Sequence, residues 1–181
     1  MTAETEKKNA QRRRLILLRH AKSAWPEGVA GEERPLAPRG RKAASIMAKY
    51  IAREKLVPDL VLVSPARRTQ ETWSLVKTKL PASPEVRDCA GIYEAAASDI
   101  LEILNEIEPV HHTVLVIGHN PGLQELAQSL VKAGDTDALE KMAAKYPTAG
   151  LAVIDFDTEG WQGIGKATGR LERFVTPRSL D

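Results

Sequence analysis

Three short segments of this 181-residue chain place histidine or arginine within a few residues behind four aliphatic ones. Arg19 and His20 follow "LILL" at 15–18, Arg67 and Arg68 lie in "SPARRT" behind "LVLV" at 60–63, and His119 lies in "GHNPGL" behind "VLVI" at 114–117. A neutral imidazole can act as a nucleophile, and the planar guanidinium fork matches phosphate oxygens in a bidentate way. Two histidines and at least two arginines in one crevice would be equipped to hold a phosphoryl group. Taken singly, such an arginine is ordinarily a surface residue and such a histidine a hydrogen-bonded rim residue. The case for chemistry is that three runs of the same kind end this way.

Apolar runs without alternation predict strands buried on both faces, as in a parallel sheet covered by helices. Between them, Ala43, Ile46, Met47 and Tyr50 fall on one helical face, as do Trp73, Val76 and Leu80, and Leu123, Leu126, Ala127 and Leu130. Ile100, Ile103, Leu104 and Ile107 form another such face ahead of the third run. Alternating strand and helix predicts an α/β layered fold, in which ligands bind outside the carboxyl ends of the strands. Ser64–Pro65 and Asn120–Pro121 each read as an N-cap followed by a proline at the first helical position, which would turn two helix N-termini toward an anion in the crevice. His111 and His112 precede the third run, so they are expected at the opposite edge of the sheet, structural or solvated. "GLAVIDFD" at 150–157 is a further strand candidate, and "TEGWQGIGKA" reads as a turn into a second short strand, giving a hairpin at the sheet edge. Gly28 to Pro38 is a loop long enough to be functional.

Composition sets the outer limits. Hydrophobic residues make up 43% and charged residues 28%, a profile of one globular domain, expected over residues 14–181. The 26 basic and 24 acidic residues leave a net charge of +2, with no global field to draw in nucleic acid or a membrane surface. The single cysteine, Cys89, excludes an internal disulfide and a cysteine-based zinc site and fits a reducing compartment. Residues 1–13, polar and ending in an arginine block, are expected to be a disordered lead-in and not a targeting signal.

"LLRHAKS", "SPARRTQET" and "VIGHNPGL" resemble the three signature segments of the histidine phosphatase superfamily. The "RHAKS" wording with Ala21, the "RPLAPRG" segment and the small size resemble its SixA-type phosphohistidine phosphatase branch. The resemblance implies a phosphoglycerate mutase-like, three-layer α/β/α sandwich with a mostly parallel central sheet. It implies His20 as the transiently phosphorylated nucleophile and Arg19, Arg68 and His119 around the phosphoryl group, with Arg67 as an extra basic neighbour. Lys22, Ser23 and Asn120 fall within the matching segments as substrate-binding candidates. For the acid that protonates a leaving group, the family pattern points between the second and third segments, to Glu94 first and Asp99 second.

The expected activity is that of a cytoplasmic hydrolase without cofactor or metal. Its expected partner is a phosphorylated protein, such as a histidine-containing phosphotransfer domain, or else a small phosphorylated metabolite, with neither nucleic acid nor membrane involved. A phosphatase for small phosphomonoesters and a non-catalytic phosphate-binding module stay open beside it. A mutase is disfavoured by the short chain, and a zinc hydrolase by the lack of His-x-His or His-Glu-x-x-His spacing.

Overall fold

The computed structural model describes residues 2–181. Seven strands form one sheet: β1 (Arg12–Arg19), β2 (Leu60–Val63), β3 (Glu85–Asp88), β4 (Thr113–Gly118), β5 (Val131–Gly134), β6 (Leu151–Asp157) and β7 (Gly169–Val175), in the order β3-β2-β4-β1-β6-β7-β5. All neighbours are parallel except the two pairs that involve β6. The three strands that precede the histidines and arginines are therefore consecutive neighbours, β2, β4 and β1, and their carboxyl ends share one edge.

Alternation within these strands builds two cores. Leu15 and Leu17, with Leu60, Leu62, Val114 and Val116, pack on one face, under α4 (Ala97–Asn105), α5 (Gly122–Leu130) and α6 (Thr136–Ala144). Ile16 and Leu18, with Val61, Val63, Leu115 and Ile117, pack on the other, under α2 (Pro38–Arg53) and α3 (Arg67–Lys77). The result is the expected three-layer α/β/α sandwich with a mostly parallel sheet. Every aliphatic residue of the three runs is at most 3% exposed. Burial of this completeness, worth about 1.5 to 3 kcal/mol for each large aliphatic side chain, makes the strand ends rigid mounts for the histidines and arginines behind them.

Several expectations are corrected. Residues 1–13 were expected to be a disordered lead-in; instead they hold helix α1 (Ala3–Ala10) and the first two residues of β1. Pairing of β1 with β6 runs out to Arg12↔Asp157 and sets Arg14 opposite Asp155. Asp155 accepts from both Arg12 and Arg14, at 2.6 and 2.7 Å, and the 3% exposed Arg13 donates to the carbonyls of Pro109 and Glu159. The arginine block is thus a strand end neutralised across the sheet.

The hairpin exists as the antiparallel pair β6–β7, but its second strand begins only at Gly169, and "TEGWQGIGKA" is the connection. Trp161 in that connection is fully buried and donates its indole N–H to the His111 carbonyl at 2.7 Å. The hairpin is not at the edge either, because β5 pairs along the outer side of β7. His111 and His112 lie at the opposite edge as expected, where His111 contacts Asp59 and Glu85. No helix among the described residues is long and apolar enough to cross a membrane.

Candidate active site

At the carboxyl end of β1, the backbone N–H of Arg19 donates to Gly150 and that of His20 donates to Gly118, fixing both residues against neighbouring strands. The His20 ring, 7% exposed, has its Nδ1 2.8 Å from the Ala21 carbonyl oxygen. A carbonyl can only accept, so Nδ1 carries the proton and Nε2 is left with the free lone pair. Thr72 of α3 accepts from the Ala21 N–H at 3.1 Å and holds that turn in place.

The second histidine is fixed by a different rule. Arg68 Nη2, which can only donate, lies 3.2 Å from His119 Nδ1. Neutral His119 therefore accepts at Nδ1 and carries its proton on Nε2, which donates to Ser64 Oγ at 2.7 Å. Ser64 was expected as an N-cap, but its hydroxyl is committed to His119, and α3 begins after Ala66. Likewise α5 begins after the cis Asn120–Pro121 peptide, although Asn120 Oδ1 still accepts from the Gln124 N–H at 3.2 Å.

His20 and His119 face each other with ring centroids 5.3 Å apart. Burial, followed for His20 by the Arg68, Arg19 and Arg34 charges, pulls its pKa down to about 4; burial and the same neighbours, with His20, pull His119 down to about 3. Both rings are uncharged at neutral pH.

Arg19 is steered by the Tyr146 carbonyl, which accepts from its Nη1 at 2.9 Å, and Arg68 by the Gly31 carbonyl, which accepts from its Nη1 at 2.9 Å. The Nε atoms of Arg19, Arg34 and Arg68 are buried and without a hydrogen-bond partner. Guanidinium groups held in place in this way match the needs of a tetrahedral oxyanion.

These groups line one cavity of about 240 Å³. It brings together Arg19, His20, Arg68 and His119, together with Lys22, Ser23, Glu94 and Asn120 at its wall and mouth. Ser23 is buried and accepts from Arg34 Nη1 at 2.7 Å, and Asn120 Nδ2 donates to the Tyr146 carbonyl at 3.1 Å. Glu94 is held at φ 48° with its side chain 67% exposed and its Oε1 4.0 Å from Arg68 Nη2. Asp99, in the first turn of α4, does not line the cavity. Arg67 does not either: it pairs with Glu71, which also binds Arg41 and the Leu36 N–H.

The sequence reading missed Arg34 as a site residue. It lies in the long loop after β1, with its guanidinium carbon 3.5 Å above the exposed Trp25 ring. The signal was present in a Pro-flanked arginine inside a loop of functional length, but only the fold turns that loop back over His20.

Fold and cavity together define a phosphate-handling α/β protein with a two-histidine, three-arginine pocket at its strand ends. The sequence profile of the histidine phosphatase superfamily (branch 1) matches residues 15–100. An uncharacterized protein of Mycobacterium tuberculosis is 34% identical over 163 residues, covering 89% of this chain and all of that relative. Two solved structures assigned as phosphohistidine phosphatase SixA superpose closely. The one from Nakamurella multipartitia has a TM-score of 0.81 and 25% identity, covering 92% of this chain and 96% of its own. The one from Agrobacterium tumefaciens has a TM-score of 0.77 and 28% identity, covering 91% and 98%. The chain belongs to the histidine phosphatase superfamily, in its SixA-type branch, and is a phosphatase.

Proposed function

We propose that the protein is a phosphohistidine phosphatase that works through a covalent intermediate on His20, acts on a phosphorylated histidine of a protein, and needs no metal. The observation that carries this reading is the pairing of a His20 tautomer that leaves Nε2 a free lone pair with three arginines, Arg19, Arg34 and Arg68, that line the same cavity. In the first step Nε2 attacks phosphorus in line. The Nε2–P bond forms, the bond from phosphorus to the substrate's imidazole nitrogen breaks, and that nitrogen takes a proton. In the second step water attacks phosphorus, the P–Nε2 bond breaks, and inorganic phosphate leaves with His20 restored to its neutral form.

Phosphoryl transfer depends mainly on positioning and on stabilising charge on the equatorial oxygens. Arg19, Arg34 and Arg68 supply that charge, and the His119 N–H adds a donor once it turns from Ser64. Glu94, at the mouth, is the proposed proton source for a leaving group. Imidazole is a far better leaving group than an alkoxide, so a phosphohistidine substrate makes the smaller demand on it. The SixA neighbours at 25% and 28% identity support the choice of substrate.

The test is a brief exposure to a ³²P-labelled phosphohistidine protein, followed by quenching. An acid-labile, base-stable label on the wild-type chain, none on His20→Ala, and activity unchanged by EDTA are expected. Turnover that survives His20→Ala, or that the chelator abolishes, overturns the mechanism. Replacing Arg68 by Ala should cost about 100- to 1000-fold in rate, the loss usual for one preorganised donor, and this is read from kcat.

A further inference from the structure

A second cavity, of about 510 Å³, lies on the same carboxyl edge of the sheet and shares Lys22 and Thr148 with the catalytic pocket. It sits at the carboxyl end of β7, between the start of α2 and the end of α6. Its floor is apolar, formed by Ala43, Pro147, Phe174 and Pro177. Its rim carries five cations, Lys22, Arg39, Lys141, Lys145 and Arg178, and no carboxylate lines it. Lys141 is paired with Asp137 at 2.8 Å on its own helix. The other four enter no ion pair among the described residues.

The arrangement differs from that of the catalytic pocket. There Arg19 and Arg68 are held by carbonyls and Arg34 by the Ser23 hydroxyl, all three lining a smaller cavity of about 240 Å³ with both histidines. Here the cations stand exposed around the rim, and among the described residues no side-chain hydrogen bond aims Lys22, Arg39, Lys145 or Arg178 at a common point, while the apolar residues are half-buried. A second phosphate would require convergent donors. An apolar floor ringed by single-sign charge instead complements a protein surface with an apolar anchor and an acidic border.

Resting on the reading of the protein as a phosphohistidine phosphatase, we infer that this cavity docks an acidic, amphipathic segment of the phosphoprotein whose phosphohistidine enters the neighbouring pocket. Lys22, common to both cavities, lies where the two parts of such a substrate meet. The site would select among phosphoproteins by the charge that flanks the modified histidine.

The test uses two synthetic peptides with one phosphohistidine each, one flanked by leucine and glutamate, the other by leucine and glutamine. They are compared on the wild-type chain and on an Arg39→Glu, Lys145→Glu, Arg178→Glu variant. None of these three residues lines the catalytic pocket, so phosphoramidate turnover serves as the control for an intact site. The wild type should prefer the acidic peptide by about tenfold or more in kcat/KM, through KM, with the preference fading as salt rises. The variant should lose or invert that preference while keeping phosphoramidate turnover.

If the wild type hydrolyses both peptides equally and the reversals change nothing, the docking site is wrong and the phosphatase reading stands. If it hydrolyses neither peptide but acts on small phosphomonoesters, both fall. Equal losses on phosphoramidate and peptide would make the cavity a small-anion subsite and overturn the docking role. A dimer in sedimentation that the reversals dissolve would overturn it too, since the cavity would then join two copies of this chain.

Discussion

His20 and His119 are the same residue type, 5.3 Å apart, and yet they hold their protons on opposite nitrogens. A carbonyl beside Nδ1 of His20 leaves Nε2 basic, whereas a guanidinium beside Nδ1 of His119 leaves Nε2–H as a donor. Charge and burial keep both neutral where an exposed imidazole would be partly protonated. Nitrogen-detected NMR on the histidine side chains should therefore find His20 as the Nδ1–H form and His119 as the Nε2–H form at pH 7. Neither should titrate near 6.5; His20 should begin to protonate toward about 4 and His119 toward about 3. A midpoint near 6.5 for His20 would refute the assignment. At this scale Arg19, His20 and His119 are legible in the sequence, because they follow an aliphatic run within two or three residues and so must emerge at a strand end, and Arg68 is legible from the segment "SPARRT" that leads from β2 into α3. Ser64 as the partner of His119, the carbonyls that aim Arg19 and Arg68, and Arg34 are not legible. Ser64 and the carbonyls meet the site through contacts 37 to 127 residues apart along the chain, as in Arg68 to Gly31 and Arg19 to Tyr146, and Arg34 meets it through Ser23, 11 residues back across the folded loop.

The elements matter through how closely they approach. Gly40, in the first turn of α2, sits against the turn after His20: a Cβ there would lie 2.0 Å from the Lys22 carbonyl oxygen and 2.9 Å from its nitrogen. The N–H of Ala37, just ahead of this helix, donates to that same Lys22 carbonyl at 2.9 Å. Helix α2 is thus pressed against the backbone that holds Ala21 and its bond to the nucleophile. Gly40→Ala should shift that turn, because the obstacle is backbone and not a flexible side chain. Overpacking of this kind costs about 1 to 3 kcal/mol, readable as a lower urea midpoint, and kcat should fall with it. Arg39→Ala, one residue away and exposed, should leave both unchanged on a small substrate. The period of α2 was readable from its buried stripe. That it starts against the nucleophile's turn was not, since no local pattern in "RPLAPRG" records what the helix will meet. The starts of α3 and α5 show the same limit. "SPA" and "NPG" have the grammar of helix caps, but the site claims the Ser64 hydroxyl, and both helices begin later than their prolines suggest.

For the molecule as a whole, the strand alternation that yields two cores was written in the aliphatic runs, whereas the order β3-β2-β4-β1-β6-β7-β5 was not, because pairing partners are chosen across the whole chain. The order has an energetic consequence. By setting β1 beside β4, with β2 next, it buries two neutral histidines and packs three arginines around them. The unfolded chain protonates each histidine near 6.5, while the fold resists protonation until about 4 and about 3. The folded state therefore binds fewer protons in this interval. Its stability is full above pH 6.5 and falls as the pH drops toward 4, by up to about 1.4 kcal/mol per pH unit for each histidine. The Asp155 carboxyl, pulled down by its arginines despite the cost of burial, loses its contribution only at lower pH and falls outside this window. Denaturant unfolding from pH 7.5 to 4.5 should show the loss, and His20→Gln should flatten it by about half, because glutamine does not titrate. An anion that neutralises the arginines opposes the same loss, so inorganic phosphate at 100 times its Kd should stabilise the fold by about 2.7 kcal/mol at pH 7. Arg19→Ala should weaken that rescue. A stability curve flat through pH 5, or one that phosphate does not lift, would mean that the pocket is neither as dry nor as cationic as its geometry requires.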